Sequence, residues 1–120
     1  MTLTELAQSP ASAVALVASV AVDADAAVVT IEGEADRATL PVVVGALARA
    51  VADAQGPVIV DLAQTTFIDA GTVRAIALAS DLLDDRGRRL TVRSPSRLAM
   101  RLLEMLRITH LIEGDPVVTT

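Results

Sequence analysis

The stretch FIDAGTVRAIALA, Phe67 to Ala79, passes from a strand-like tail through an acid and a glycine into a helical pattern. Asp69, Gly71 and Thr72 fall at the junction, where the first N–H groups of a helix have no internal acceptors. Asp69 is a good N-cap, and Val73, Ile76, Ala77 and Leu83 recur on one side of the helix that follows. Gly87 sits where a C-terminal cap is wanted. Just upstream, VIVDL (Val58 to Leu62) is a continuous apolar run of strand length, as expected of a strand covered on both faces.

Outward from this unit the pattern repeats. Val14, Leu16, Val20 and Val22 suggest a first strand. Asp23-Ala24-Asp25-Ala26 reads as a turn and AVVTIE (Ala27 to Glu32) as a second strand, so the pair forms a hairpin. GEAD, Gly33 to Asp36, breaks that strand. A helix follows, with Asp36 or Thr39 able to cap it and Pro41 tolerated in its first turn. Its buried face is read from Leu40, Val43, Val44, Leu47 and Val51, and Gln55-Gly56-Pro57 ends it. Beyond Gly87, Arg88 to Val92 forms a strand, Ser94-Pro95-Ser96 opens a third helix reaching about Leu106, and a short last strand lies around Leu111-Ile112. The order β-β-α-β-α-β-α-β predicts an α/β fold: a central, mostly parallel sheet of about five strands with three to four helices. Residues 13–114 make the domain, 1–12 a flexible arm and 115–120 a tail. Sites in such sheets gather at the carboxyl ends of strands, which places GEAD and FIDAGT on the same edge.

Composition removes several kinds of chemistry. The chain has 120 residues, 52% of them apolar, yet one Phe and no Trp or Tyr. Its core is therefore aliphatic, and it lacks the aromatic platforms that single-stranded nucleic acids stack on. Without cysteine there is no disulfide, thiolate metal site or cysteine nucleophile. One histidine, His110, rules out His-clustered metal sites and reads as structural, near the start of the last strand. All ten cations are Arg, so P-loop and Schiff-base lysine chemistry are absent. No catalytic residue and no metal site is assigned. The longest nearly apolar run, Ala11 to Val22, is only 12 residues and too short for a bilayer span. The expectation is a soluble, cytoplasmic protein.

The net charge of −5 hides an asymmetry: residues 1–85 carry −9 and residues 86–120 carry +4. Such a dipole steers partners without specifying a fold. Arg97, Arg101 and Glu104 share one face of the third helix, a solvated face in the simplest reading, with Leu98, Leu102, Met105 and Leu106 on another. A negative total charge and the lack of a recognition motif argue against duplex nucleic acid.

Three segments carry a resemblance. They are IEGEAD, then VIVDLAQTTFIDAGTV, then RGRRLTVRSPSRLAMRLLEMLRITHLIE. In this order they resemble the STAS domain of anti-sigma factor antagonists, over roughly Val28 to Glu113. The resemblance implies a small protein that binds a GHKL-type anti-sigma kinase and so frees a sigma factor. In the family that kinase phosphorylates a Ser or Thr at the start of the second helix, which breaks the complex, and a phosphatase resets it. By the same resemblance Glu34, Asp36, Asp69, Ala70, Gly71, Thr72 and Arg74 lie at the partner surface. The phosphoacceptor position falls on Gly71, which has no hydroxyl, and Thr72 stands where the family has glycine. Either Thr72 has taken over as acceptor or this chain is not switched there.

Competing readings are narrower. A phosphoacceptor domain of receiver type wants a Lys near its last strand, and none exists. STAS domains also serve as accessory subunits of ABC-type lipid transporters, a reading the motifs leave open. No cofactor is called for, although the motifs are compatible with weak nucleotide binding. A monomer or weak homodimer is expected.

Overall fold

A computed structural model of the protein describes residues 17–22 and 26–114, with the Val17 side chain left aside. The N-terminal arm, the turn at 23–25, Val14, Leu16 and the 115–120 tail lie outside the described residues. The elements run β1 (Val17–Val22), β2 (Ala27–Ala35), α1 (Leu40–Asp53), β3 (Val58–Asp61), β4 (Thr65–Ile68), α2 (Ala70–Asp84), β5 (Leu90–Arg93) and α3 (Arg97–Met105), ending in a 3-10 turn at Thr109–Leu111. This is the expected α/β architecture: five strands, mostly parallel, and three helices.

β1 and β2 form the antiparallel hairpin, with Val20 opposite Val29. β3 then lies parallel to β2, and β5 parallel to β3. Both parallel steps move in the same direction across the sheet (β1-β2-β3-β5). Right-handed crossovers therefore carry α1 and α2 to a single face. Burial follows. Ala27, Val58 and Leu90 share one buried row, and Val29, Val60 and Val92 share the next. The opposite rows, Val28-Ile59-Thr91 and Thr30-Asp61-Arg93, are only half-buried. The expectation that VIVDL is covered on both faces is thus corrected: its apolar run reflects β-branched residues, not a second helical layer. On that open face Glu113 binds Arg93 at 3.2 Å, and its hydrogen bond, then its charge, push the guanidinium pKa up.

Two further elements depart from expectation. β2 is not broken at Gly33 but runs on to Ala35. Gly33 takes a φ of 105°, a conformation L side chains avoid, at a register shift between Gly33 and Glu34. β2 pairs with β3 over 27–30 and with β4 from Gly33 onward, so β3 and β4 act as one strand interrupted at residues 62–64, both lying along β2. The last strand, in contrast, shrinks to a single bridge between Val92 and Ile112. The chain coils into the 3-10 turn instead, and only Glu113 donates its N–H to Val92.

Alanine blurs the helix faces. α1 buries Val43, Ala46, Leu47 and Ala50, while Val44, read as core, is 46% exposed. α3 buries Ala99 and Leu103, and leaves Leu98 and Met105 outside at 40% and 77% exposure. The Arg97, Arg101 and Glu104 face is exposed as expected. His110 lies exposed in the 3-10 turn rather than in a strand.

α1 ends without a glycine cap, and a distant side chain supplies the missing donors. The Arg88 guanidinium donates to Val51 O at 2.8 Å, Gly56 O at 2.9 Å and, weakly, Ala50 O at 3.5 Å. It ties the start of the β5 segment to the end of α1, where a cation also complements the helix dipole. Arg88→Met keeps the stem and removes these bonds. It is expected to lower the unfolding free energy by about 1.5–3 kcal/mol in urea denaturation, the worth of hydrogen bonds to a charged group. Arg88→Lys recovers only part, because an ammonium lacks the planar fork.

Candidate functional site

The carboxyl end of β2 is where the predicted site residues meet. Glu34 pairs with Phe67 and Ala35 with Ile68, so GEAD and FIDAGT lie side by side. The Ala35 carbonyl accepts the Asp69 N–H at 3.0 Å, fixing the chain as it enters α2. Asp69 then caps the helix twice over: its Oδ1 accepts from the Thr72 N–H and from the Thr72 hydroxyl, each at 2.8 Å. Thr72 Oγ1 also approaches the Ala35 carbonyl at 3.4 Å.

A matching device opens α1. Either Asp36 or Thr39 fits a cap by residue type; Thr39 is the N-cap, its side chain makes no bond into α1, and the two residues bond to each other instead. Asp36 Oδ1 accepts the Thr39 N–H at 3.0 Å while Thr39 Oγ1 accepts the Asp36 N–H at 2.9 Å, a reciprocal capping box one turn ahead of the helix. Thr39 Oγ1 also lies 2.9 Å from Glu34 O, as its donor. Two adjacent carbonyls of β2, Glu34 and Ala35, thereby hold the amino ends of both helices.

The predicted residues therefore divide. Asp36, Asp69 and Thr72 spend their polar atoms inside the protein, and Thr72 is fully buried. Ala70 and Gly71 are half-buried. Among the described residues Glu34 and Arg74 are exposed and make no side-chain hydrogen bond or ion pair. Thr65 belongs to the scaffold, its hydroxyl donating to Ile31 O at 2.7 Å, whereas Thr66 is exposed. A Cβ added at Gly71 would meet nothing nearer than Asp69 Oδ1 at 3.7 Å, so the position has room for a side chain.

One contributor was not singled out from sequence. Phe67, the only aromatic residue, is 44% exposed on β4 beside the turn. Its signal was the alternation with Ile68, which is buried: in a strand only one of two neighbours faces the core. The resulting surface combines an aromatic ring, an acid at Glu34 and a base at Arg74 around a rigid helix start. It has the ingredients of a protein contact. Among the described residues no cluster of three or more His, Asp or Glu could hold a metal.

Residues 18–113 match the family profile described as Mlab, STAS domain. The chain belongs to the STAS domain family. Solved structures agree on the fold. An anti-sigma factor antagonist from Mycobacterium paratuberculosis superposes with a TM-score of 0.73 at 19% identity, over 88% of this chain and 92% of that one. The antagonist SpoIIAA in its unphosphorylated form gives 0.70 at 14% identity, over 85% and 93%. The Bacillus SpoIIAA in its phosphorylated form gives 0.67 at 14%, over 86% and 97%. No curated protein matches the chain in sequence. No helix among the described residues is long and apolar enough to cross a membrane.

The buried hydroxyl makes a measurable claim. Thr72→Val preserves the shape and strands one lone pair of Asp69, so it is expected to cost about 1–2 kcal/mol in chemical denaturation. Thr72→Ser keeps the donor and should lie close to the parent protein. A loss for Thr72→Ser with Thr72→Val close to the parent protein would mean that the methyl packing, not the hydroxyl, matters.

Proposed function

We propose that the protein is an anti-sigma factor antagonist that binds a GHKL-type anti-sigma kinase in the cytoplasm through the Glu34, Phe67 and Arg74 surface. On this reading it acts by binding rather than catalysis. The observation that carries the reading is the α2 turn itself: Glu34, Phe67 and Arg74 are exposed beside it, and its only hydroxyl points inward. A kinase must present the γ-phosphate to an open oxygen. Thr72 Oγ1 is fully buried and held by Asp69 at 2.8 Å, so phosphorylation would require the first turn of α2 to unwind. A phosphate there would add about −1.5 to −2 charges against the Asp69 carboxylate. Of the two readings of Thr72, its burial supports a turn that is not switched. The antagonist then stays in its binding state, and a phosphatase has nothing to remove at this site.

A second reading shares the same surface. An accessory subunit of an ABC-type lipid transporter needs a permanent contact and no switch, and the inward hydroxyl favours permanence. The two differ in the partner bound.

Capture of partners from a native extract, with the mass of the captured bait read alongside, separates them. The expected result is a GHKL-type kinase with an unmodified bait. An ABC ATPase in its place would establish the transporter reading, and a phosphate on Thr72 would sink the unswitched turn. Phe67→Asp is expected to weaken capture by more than about tenfold, as for a central aromatic contact, with folding unchanged. Gly71→Ser fits without a clash and places a hydroxyl at the family's acceptor position. Incubated with the captured kinase and ATP, Gly71→Ser should gain one phosphate and release the kinase while the parent protein does neither.

A further inference from the structure

α1 and α2 lie side by side on the sheet with a groove of about 380 Å³ between them. It is lined by small and aliphatic side chains, among them Val44, Ala48, Ala52, Leu78 and Leu82. Leu78 is 65% exposed, Leu82 53% and Val44 46%. Monomeric proteins scatter such residues singly, whereas a contiguous strip of them marks an interaction surface.

The charges along this strip say what covers it. Arg74, Leu78, Asp81, Leu82 and Asp85 recur at spacings of four, three, one and three residues, and all are exposed. They form one ridge of α2, basic at Arg74 toward its amino end and acidic at Asp81 and Asp85 toward its carboxyl end, with Arg86 just beyond at the groove's edge. A parallel neighbour of the same kind would set arginine against arginine and aspartate against aspartate. An antiparallel one reverses this. A two-fold axis crossing α2 near Leu78 puts Leu78 against its counterpart. It also brings Arg74, four residues before the axis, opposite the Asp81–Asp85 turn, three to seven residues after it. At about 1.5 Å of rise per residue, Arg74 then stands within a turn of both acids. On the neighbouring helix, Gly45, Ala48 and Ala52 offer a stripe of small side chains that permits close approach.

We infer that the α1–α2 face pairs with the same face of a second copy of this chain, in an isologous dimer built on antiparallel α2 helices. Two-fold pairing of one self-complementary patch is the commonest form of assembly. The inference goes beyond the partner-binding reading and does not rest on it. It is tested on the purified chain with no partner present, so either can fail alone.

Sedimentation velocity of the full chain over the micromolar range is expected to show a dimer that dissociates on dilution. Leu78→Asp should leave a folded monomer, with its circular dichroism unchanged. Arg74→Glu places like charges at two symmetry-related positions and should weaken the dimer about tenfold. Adding Asp81→Arg to Arg74→Glu restores opposite charges between copies and should recover most of the loss. A parent protein that stays monomeric at its highest soluble concentration would overturn the inference. So would a dimer indifferent to Leu78→Asp, or one weakened equally by the single and the double charge change.

Discussion

Two neighbouring carbonyls at the end of β2 hold together the segments that open α1 and α2. Glu34 O accepts from the Thr39 hydroxyl, and Ala35 O from the Asp69 N–H and, more weakly, the Thr72 hydroxyl. Strand carbonyls at the end of a ladder need partners when they are buried, and Ala35 is fully buried. The chain satisfies them with the capping residues of the next two helices. For Ala35 the requirement that no buried acceptor go unpaired ties the end of β2 to the start of α2, and Glu34 O ties it to the turn before α1. These ties also explain why GEAD and FIDAGT, more than thirty residues apart in the chain, form one surface.

The Gly33 bulge serves the same end. At Gly33/Glu34 the register shifts: Thr65 lies opposite Gly33 and Phe67 opposite Glu34, which leaves Thr66 as the extra residue on β4. Without that extra residue, Phe67 would stand opposite Ala35 instead of Glu34, and the side chains beyond it would change face. Phe67 would then turn toward the core and Ile68 toward solvent. The exposure of the single aromatic ring therefore depends on the register shift at Thr66, which faces Gly33 with its positive φ across the ladder.

Much of this was legible beforehand, for identifiable reasons. β2 and β3 are rich in Val and Ile, whose β-branched side chains mark strands, and Asp69 and Ser96 announce helix starts by chemistry alone. The meeting of GEAD with FIDAGT followed from the parallel order of the strands. Helix faces were harder because alanine carries little signal. Ala46, Ala50 and Ala99 are buried while Val44, Leu98 and Met105 are not, so hydrophobicity pointed one position away from the true face. β4 was visible only as a tail, since its pairing depends on the bulge. The last strand failed because Ile112 alone bridges β5, and the chain before it prefers a tight turn. Least legible was the burial of Thr72, which needs both a local partner, Asp69, and one 37 residues away, Ala35.

That burial shows how a one-residue exchange alters what a turn can do. Successive residues in a helix are rotated by about 100° around its axis. A side chain at Gly71 would emerge beside solvent, with only the Asp69 carboxylate near it. At Thr72 the side chain points into the angle between Asp69 and the end of β2. A hydroxyl in the first position is a handle for an enzyme. In the second it is a structural bond, since the donor it offers is consumed by the cap and the acceptor it offers is shielded. The same Asp69 serves in both cases, because an N-cap carboxylate accepts whatever donor the first turn provides. The inward hydroxyl strengthens the junction of β2 with α2. A single oxygen atom, turned inward at Thr72, thus joins the start of α2 to the end of β2 through Asp69 and Ala35.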